Sequence, residues 1–196
     1  EAMRARVRET GLPLVYSHLV GGQDEVVFEG ASFALNADGS VAMRAPAFEE
    51  LLAQVDVTAN GDAAIRLSGA LAPVLSWEGE MWAALVTGVR DYVGKNGFPG
   101  VLLGLSGGID SALVLAIAVD ALGAEKVRTV MMPSPYTADI SWIDAREMAA
   151  RLNVQYEEIS IAPQFEAFKA ALAHDFAGLA EDTTEENLQA RIRGTL

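Results

Sequence analysis

The chain has 196 residues, 51% of them hydrophobic and 21% charged, enough apolar material for a packed core and too much for a disordered polymer. Lys and Arg number 14 against 27 Asp and Glu, a net charge of −13, and so acidic a surface repels a nucleic-acid backbone. There is no cysteine, so disulfides, thiolate-bound zinc, iron–sulfur clusters and a cysteine nucleophile are excluded within these residues.

The two histidines, His18 and His174, stand too far apart in sequence to suggest a metal motif. The longest strongly apolar run, 112–119, falls well short of the roughly 20 residues that span a bilayer. Residues 1–11 are charged throughout and do not read as a signal peptide. A cytoplasmic protein with no membrane and no nucleic-acid partner is expected.

In chain order, 3–10 reads as the last turns of a helix closed by Gly11, with Pro13 beyond. An apolar strand is predicted over 14–20 and ends at the Gly21-Gly22 break. Short strands follow at 25–29, 32–36 and 40–44, the last two joined by the turn Asn36-Ala37-Asp38-Gly39. Alternation predicts strands at 54–58 and 64–67. The character changes around 68–76, where Pro73 interrupts an irregular stretch.

A helix is predicted over 78–95, stopped by Asn96, Gly97 and Pro99. The apolar run 101–105 reads as a buried parallel strand, and 111–122 as a helix ended by Gly123. Next come a strand at 126–132, a helix at 141–152 with Ser141 and Asp144 spaced as a capping box, and Asn153 as a left-handed terminator. A strand at 154–161, a helix from Pro163 to 173 and a helix from 184 complete the series. Alternating strands and helices at this spacing predict a parallel sheet with right-handed crossovers. The chemistry of both ends, a helix already under way at Glu1 and a helix without a clear cap at Leu196, suggests a piece of a longer protein.

The informative segment is Gly104, Leu105, Ser106, Gly107, Gly108, Ile109, Asp110 and Ser111, between an apolar strand and an apolar helix. Ligands of open α/β sheets bind beyond the carboxyl ends of strands. Two glycines permit a tight turn and a close anion, and the first amides of a helix point at that anion with a favourable dipole. A Walker loop is excluded because no lysine lies in 104–111, and the glycine spacing does not fit a dinucleotide fingerprint. Asp110 beside a polyphosphate makes sense with a cation between them, and Mg²⁺ takes one or two carboxylates plus phosphate oxygens. The plainer alternative is an ordinary strand-to-helix turn whose helix start Asp110 stabilises.

The loop resembles the pyrophosphate loop of the N-type ATP pyrophosphatases, a family that activates an oxygen by adenylation. Met132-Pro133-Ser134-Pro135-Tyr136-Thr137, Ser141, Asp144-Ala145 and the stretch Glu186-Asn187-Leu188-Gln189-Ala190-Arg191-Ile192-Arg193 resemble the NAD synthetase branch. Gly21-Gly22-Gln23-Asp24-Glu25 and Phe28-Glu29-Gly30-Ala31-Ser32-Phe33 resemble the closing strands of the nitrilase-like amidase domain that precedes it in glutamine-dependent members. The resemblance implies an α/β fold: a Rossmann-like parallel-sheet ATP pyrophosphatase domain over 77–196, a linker at 68–76, and the β-rich end of a nitrilase-like domain over 1–67. It implies ATP and Mg²⁺ as cofactors, and deamido-NAD with glutamine or ammonia as substrates.

By that resemblance the eight loop residues from Gly104 to Ser111 bind ATP and Asp110 holds Mg²⁺. Asn187 and Arg191, one turn apart on a helix face, contact deamido-NAD, although a solvated polar face reads the same way. The amidase Cys, Lys and Glu are expected upstream, so this piece is expected to be inactive alone, and a homo-oligomer is expected. Two rivals remain: another amidating synthetase of the loop family, of the GMP synthetase type, and a non-catalytic nucleotide-binding module. Tyr136 and Thr137 receive no role. Trp77, Trp82 and Trp142 read as packing residues, His18 and His174 as ordinary histidines, and 49–50 and 181–186 as solvated acidic stretches.

Overall fold

A computed structural model describes residues 1–59, 65–178 and 183–196, which form two compact units, 1–97 and 98–196. The first unit opens with α1 (Ala2–Thr10), closed by Gly11 at φ +67°, whose N–H bonds the Val7 carbonyl at 2.9 Å. Seven short strands follow among the described residues: β1 (Leu14–Tyr16), β2 (Val20–Gln23), β3 (Val26–Glu29), β4 (Phe33–Leu35), β5 (Val41–Arg44), β6 (Val55–Thr58) and β7 (Arg66–Gly69). They pair antiparallel as β1-β4-β5, β2-β3 and β6-β7. The strand expected at 64–67 is β7, two residues later, and residue 64 lies outside the described residues.

The β4–β5 turn forms as its residues dictate. Gly39 takes φ +83°, its N–H bonds the Asn36 carbonyl at 2.8 Å, and Asp38 Oδ1 accepts from the Ser40 N–H at 2.8 Å. Asn36 is itself buried, and its Oδ1 accepts from the Leu67 N–H at 2.8 Å, tying β7 to the hairpin. Ala34, Ala42, Met43, Ala45 and Leu67 form the small core between them.

Gly21 and Gly22 do not break the chain as expected; both lie inside β2. The reason is the helix α2 (Trp77–Lys95), capped by Ser76 Oγ accepting from the Gly79 N–H at 3.1 Å. It crosses β2 so closely that a Cβ on Gly22 would stand 3.3 Å from Gly88 Cα and 3.3 Å from Asp91 Cβ. Asp91 Oδ2 accepts from the Gly22 N–H at 2.7 Å, and Lys95 Nζ donates to the Gly22 carbonyl at 2.5 Å. One peptide residue is thus gripped on both its polar groups by side chains one helical turn apart.

The second unit runs β8 (Val101–Gly104), α3 (Ile109–Leu122), β9 (Val127–Met131), α4 (Asp139–Arg151), β10 (Gln155–Glu158), α5 (Ala162–Leu172) and α6 (Thr183–Thr195). The sheet is parallel in the order β10-β9-β8, as the alternation predicts. Leu105, Leu115, Ala118, Val127, Met131, Ala145 and Ala149 form its core, between the sheet and helices α3 and α4, with Trp142 packed against it. Asn153 takes the left-handed conformation expected, φ +54°, and Pro163 sits in the first turn of α5.

Among the described residues β8 pairs with β9 alone, with Leu102 68% exposed and Val101 and Leu103 half-buried. One expectation is corrected here. Helix α4 starts at Asp139 behind Ala138, so Ser141 lies in its first turn and caps nothing. The turn before it closes on itself, Thr137 Oγ1 accepting from the Ser134 N–H at 2.9 Å, which lets the helix begin early. No described helix is long and apolar enough to cross a membrane.

Candidate functional site

β8 delivers the loop to the carboxyl edge of the sheet, and its ladder runs one residue further, the Leu105 N–H bonding the Val130 carbonyl at 2.9 Å. Leu105 is buried and anchors that end. From Ser106 the chain leaves the sheet, turns at Gly107, which takes φ +82°, and enters α3 behind Gly108 as N-cap. Gly107 admits no side chain, because a Cβ there would collide with the backbone of Ser141 in the first turn of α4. The glycine requirement is therefore a matter of space as well as of backbone angle.

The loop residues do come together. Ser106 Oγ accepts from the Gly108 N–H at 3.2 Å and meets Ser111 Oγ at 3.0 Å, while Ser111 Oγ donates to the Gly108 carbonyl at 2.9 Å and accepts from the Ser106 N–H at 3.2 Å. The serines hold the turn in shape from within. Ile109, 80% exposed, and Asp110, also exposed, open α3, where the first amides have no intrahelical acceptor. That cluster of N–H groups with the helix dipole behind it favours an anion.

No group of three or more His, Cys, Asp and Glu able to hold a metal occurs among the described residues. A Mg²⁺ arriving with a polyphosphate needs fewer protein ligands, one or two carboxylates. Asp110, exposed and without an ion-pair partner among the described residues, suits that role.

Two cavities flank the loop. One, of about 400 Å³, lies between Gly107, Gly108 and Ile109 and the α4 side chains Asp144, Glu147 and Arg151. The other, of about 270 Å³, opens at the ends of β8 and β9 among Gly104, Leu105, Ser106, Met131, Met132, Thr137 and Arg193. Arg193 and Thr137 were given no role by the sequence. A signal for Arg193 existed: Leu188, Gln189, Ile192 and Arg193 repeat at helical spacing, and this face of α6 packs inward with Ile161, Phe165 and Met132.

Asn187 and Arg191 lie elsewhere. Both are exposed and line a groove of about 390 Å³ between α5 and α6, with Lys169, Leu172, Phe176 and Leu188. They share a helix face, as their spacing requires, and neither lines the two cavities beside the loop. Tyr136 sets its ring edge-on to Phe165, 5.6 Å between centroids. Of the acidic stretch expected at 181–186, residues 181 and 182 lie outside the described residues.

Residues 81–196 match the family model for NAD synthase. The chain is 52% identical over 194 residues to the glutamine-dependent NAD(+) synthetase of Rhodobacter capsulatus, covering 98% of this chain and 35% of that protein. The structure of a glutamine-dependent NAD+ synthetase from Acinetobacter baumannii in complex with ADP superposes with a TM-score of 0.89 at 44% identity, over 99% of this chain and 36% of that one. An NH3-dependent NAD synthetase from Campylobacter jejuni matches 62% of this chain and 50% of its own, with a TM-score of 0.53 and 30% identity. The chain spans about 35% of the length of the first curated relatives it matches.

Proposed function

Since the chain belongs to the NAD synthase family, we propose that the protein converts deamido-NAD to NAD with ATP, drawing ammonia from glutamine hydrolysed in another part of the longer protein. The observation that carries this reading is the turn from Ser106 to Ser111, which leaves β8 at the sheet's carboxyl edge and opens α3 with free amides. An ADP complex of the Acinetobacter baumannii relative supports nucleotide binding here.

The chemistry explains why a nucleotide is needed. A carboxylate is a poor electrophile. Its oxygen attacks the α-phosphorus of ATP, a P–O bond forms, and the bond to pyrophosphate breaks. Ammonia then attacks the carbonyl carbon, AMP leaves with the C–O electron pair, and the nitrogen loses a proton. The amides opening α3 hold the departing pyrophosphate and favour the negative charge it gains. Asp110 would hold Mg²⁺ against the phosphate oxygens, where the ion neutralises developing charge. Asn187 and Arg191 supply an amide and a guanidinium suited to a dinucleotide's carboxylate and phosphates.

The same reading assigns 1–67 to the end of a nitrilase-like amidase domain, 68–76 to a linker and 77–196 to the synthetase domain. It also makes the protein a cytoplasmic homo-oligomer. The test supplies the full-length protein with ATP, Mg²⁺ and ammonia, and offers deamido-NAD and xanthine monophosphate separately. NAD with stoichiometric AMP is expected from the first and nothing from the second. AMP with the xanthine nucleotide alone moves the protein to another amidating synthetase, and AMP with neither leaves a nucleotide-binding module.

A further inference from the structure

The cavity at the ends of β8 and β9 holds a cation that nothing above uses. Arg193 reaches it from α6, half-buried, with Nε donating to the Met132 carbonyl at 3.0 Å and Nη2 to the Gln189 amide oxygen at 3.4 Å. Those two bonds use two of its five N–H donors, and both acceptors are neutral. No carboxylate lines the cavity, and Arg193 makes no ion pair among the described residues. Burial lowers the guanidinium from its ordinary value, the sign of a charge losing water without gaining an anion.

An unpaired guanidinium fixed by a backbone carbonyl is costly in an empty crevice and well prepared for an anionic ligand. Its place narrows the choice of anion. A nucleotide in an open parallel sheet lies across the carboxyl ends of the strands. If its outer phosphates rest on the amides opening α3, the chain of phosphates leads back past Ser106 toward Met131 and Met132. In that arrangement Arg193, which lines the same cavity as Ser106, Met131 and Met132, would face the phosphate nearest the nucleoside.

We propose that Arg193 is a nucleotide-contacting residue that binds the phosphate next to the nucleoside, the one whose phosphorus is transferred in the reaction. The proposal rests on the nucleotide reading of the loop. Through the Met132 bond it gives α6 a direct hold on the bound nucleotide, so the helix that carries Asn187 and Arg191 is drawn to the crevice that activates the substrate.

The test measures the affinity of adenosine, AMP and ATP for the intact protein and for Arg193→Gln and Arg193→Lys, by displacement of a fluorescent ATP analogue. Glutamine keeps a donor for the Met132 carbonyl and removes the charge; lysine keeps the charge. Arg193→Gln is expected to bind AMP and ATP about tenfold or more weakly, as loss of a charge-assisted bond predicts, with adenosine unchanged. Arg193→Lys is expected to recover most of the AMP affinity, with wild-type thermal midpoints showing both variants folded. An equal loss with adenosine means that the guanidinium only shapes the crevice and overturns the proposal. A loss with ATP alone assigns it to the outer phosphates, and no loss with either removes it from the site. A wild-type protein that binds no ATP overturns the nucleotide reading itself, a result distinct from the other three. If Arg193→Gln does not fold, Arg193→Met takes its place, keeping the packed stem and removing the charge: AMP affinity at the wild-type value in that variant overturns the proposal.

Discussion

In the first unit a small apolar core is reinforced by polar side chains aimed at backbone. The Asp91 carboxylate and the Lys95 ammonium grip Gly22, the Asn36 amide holds Leu67, and Arg8 Nε donates to the Asp38 carbonyl at 3.2 Å. In the second, apolar layers do this work: Leu115, Val127 and Met131 pack with Ala145 and Ala149 between sheet and helices. Directed bonds supplement a small core, three alanines with Met43 and Leu67, which buries little apolar surface. A packed layer leaves the turn beyond the buried Leu105 outside the core.

That contrast can be broken most sharply at the loop. Asp110→Ala is expected to abolish AMP formation, more than a thousandfold, while the thermal midpoint stays at the wild-type value; near-normal AMP release measured by chromatography removes Asp110 from the site. Leu115→Ala, at a fully buried position, is expected to cost about 3 kcal/mol in urea unfolding, the toll of a cavity in a packed layer. Loss well below 1 kcal/mol would show that the second unit is not held as described.

Asp91→Asn is expected to cost about 1.5 kcal/mol at neutral pH, because it removes the charge from the bond to Gly22. Burial works to raise the Asp91 carboxyl, but the Gly22 N–H and the Lys95 ammonium outweigh it and hold the group below its ordinary 3.8. A depressed value stabilises the fold above pH 3.8 and loses that contribution as pH falls through the folded-state value. The gap between wild type and Asp91→Asn therefore narrows as the pH falls below 3.8, and a gap that does not narrow contradicts the clamp. Asn187→Ala is expected to raise KM for deamido-NAD about tenfold, near 1.4 kcal/mol, with ATP affinity unchanged, in keeping with a groove apart from the loop. Arg8→Ala, at an exposed residue, is expected to cost about 0.5 kcal/mol in the same urea titration.

Local chemistry made much of this legible. Gly11, Gly39, Asn153 and Pro163 each do what their backbone preferences dictate, and the strand–helix alternation of the second unit appears as a parallel sheet. The family was readable from the loop at 104–111 taken together with the stretches at 132–137 and 186–193. What stayed hidden depends on neighbours distant in sequence. Gly21 and Gly22 read as a break because nothing nearby says that a helix sixty residues on lies across them. Ser141 read as a cap because its spacing to Asp144 is right, whereas the Ser134–Thr137 turn starts the helix two residues sooner. The resemblance bears on Asn187 and Arg191, whereas Arg193 shares the inward face marked by Leu188, Gln189 and Ile192, a signal that shows only once Ile161 and Phe165 are seen to pack there.

The crowding at Gly107 has a consequence for how the turn tolerates change. A side chain there meets the Ser141 backbone, so a substitution at this single position must displace either the turn or the first turn of α4. The loop and α4 therefore vary together, and a change in one is absorbed by the other.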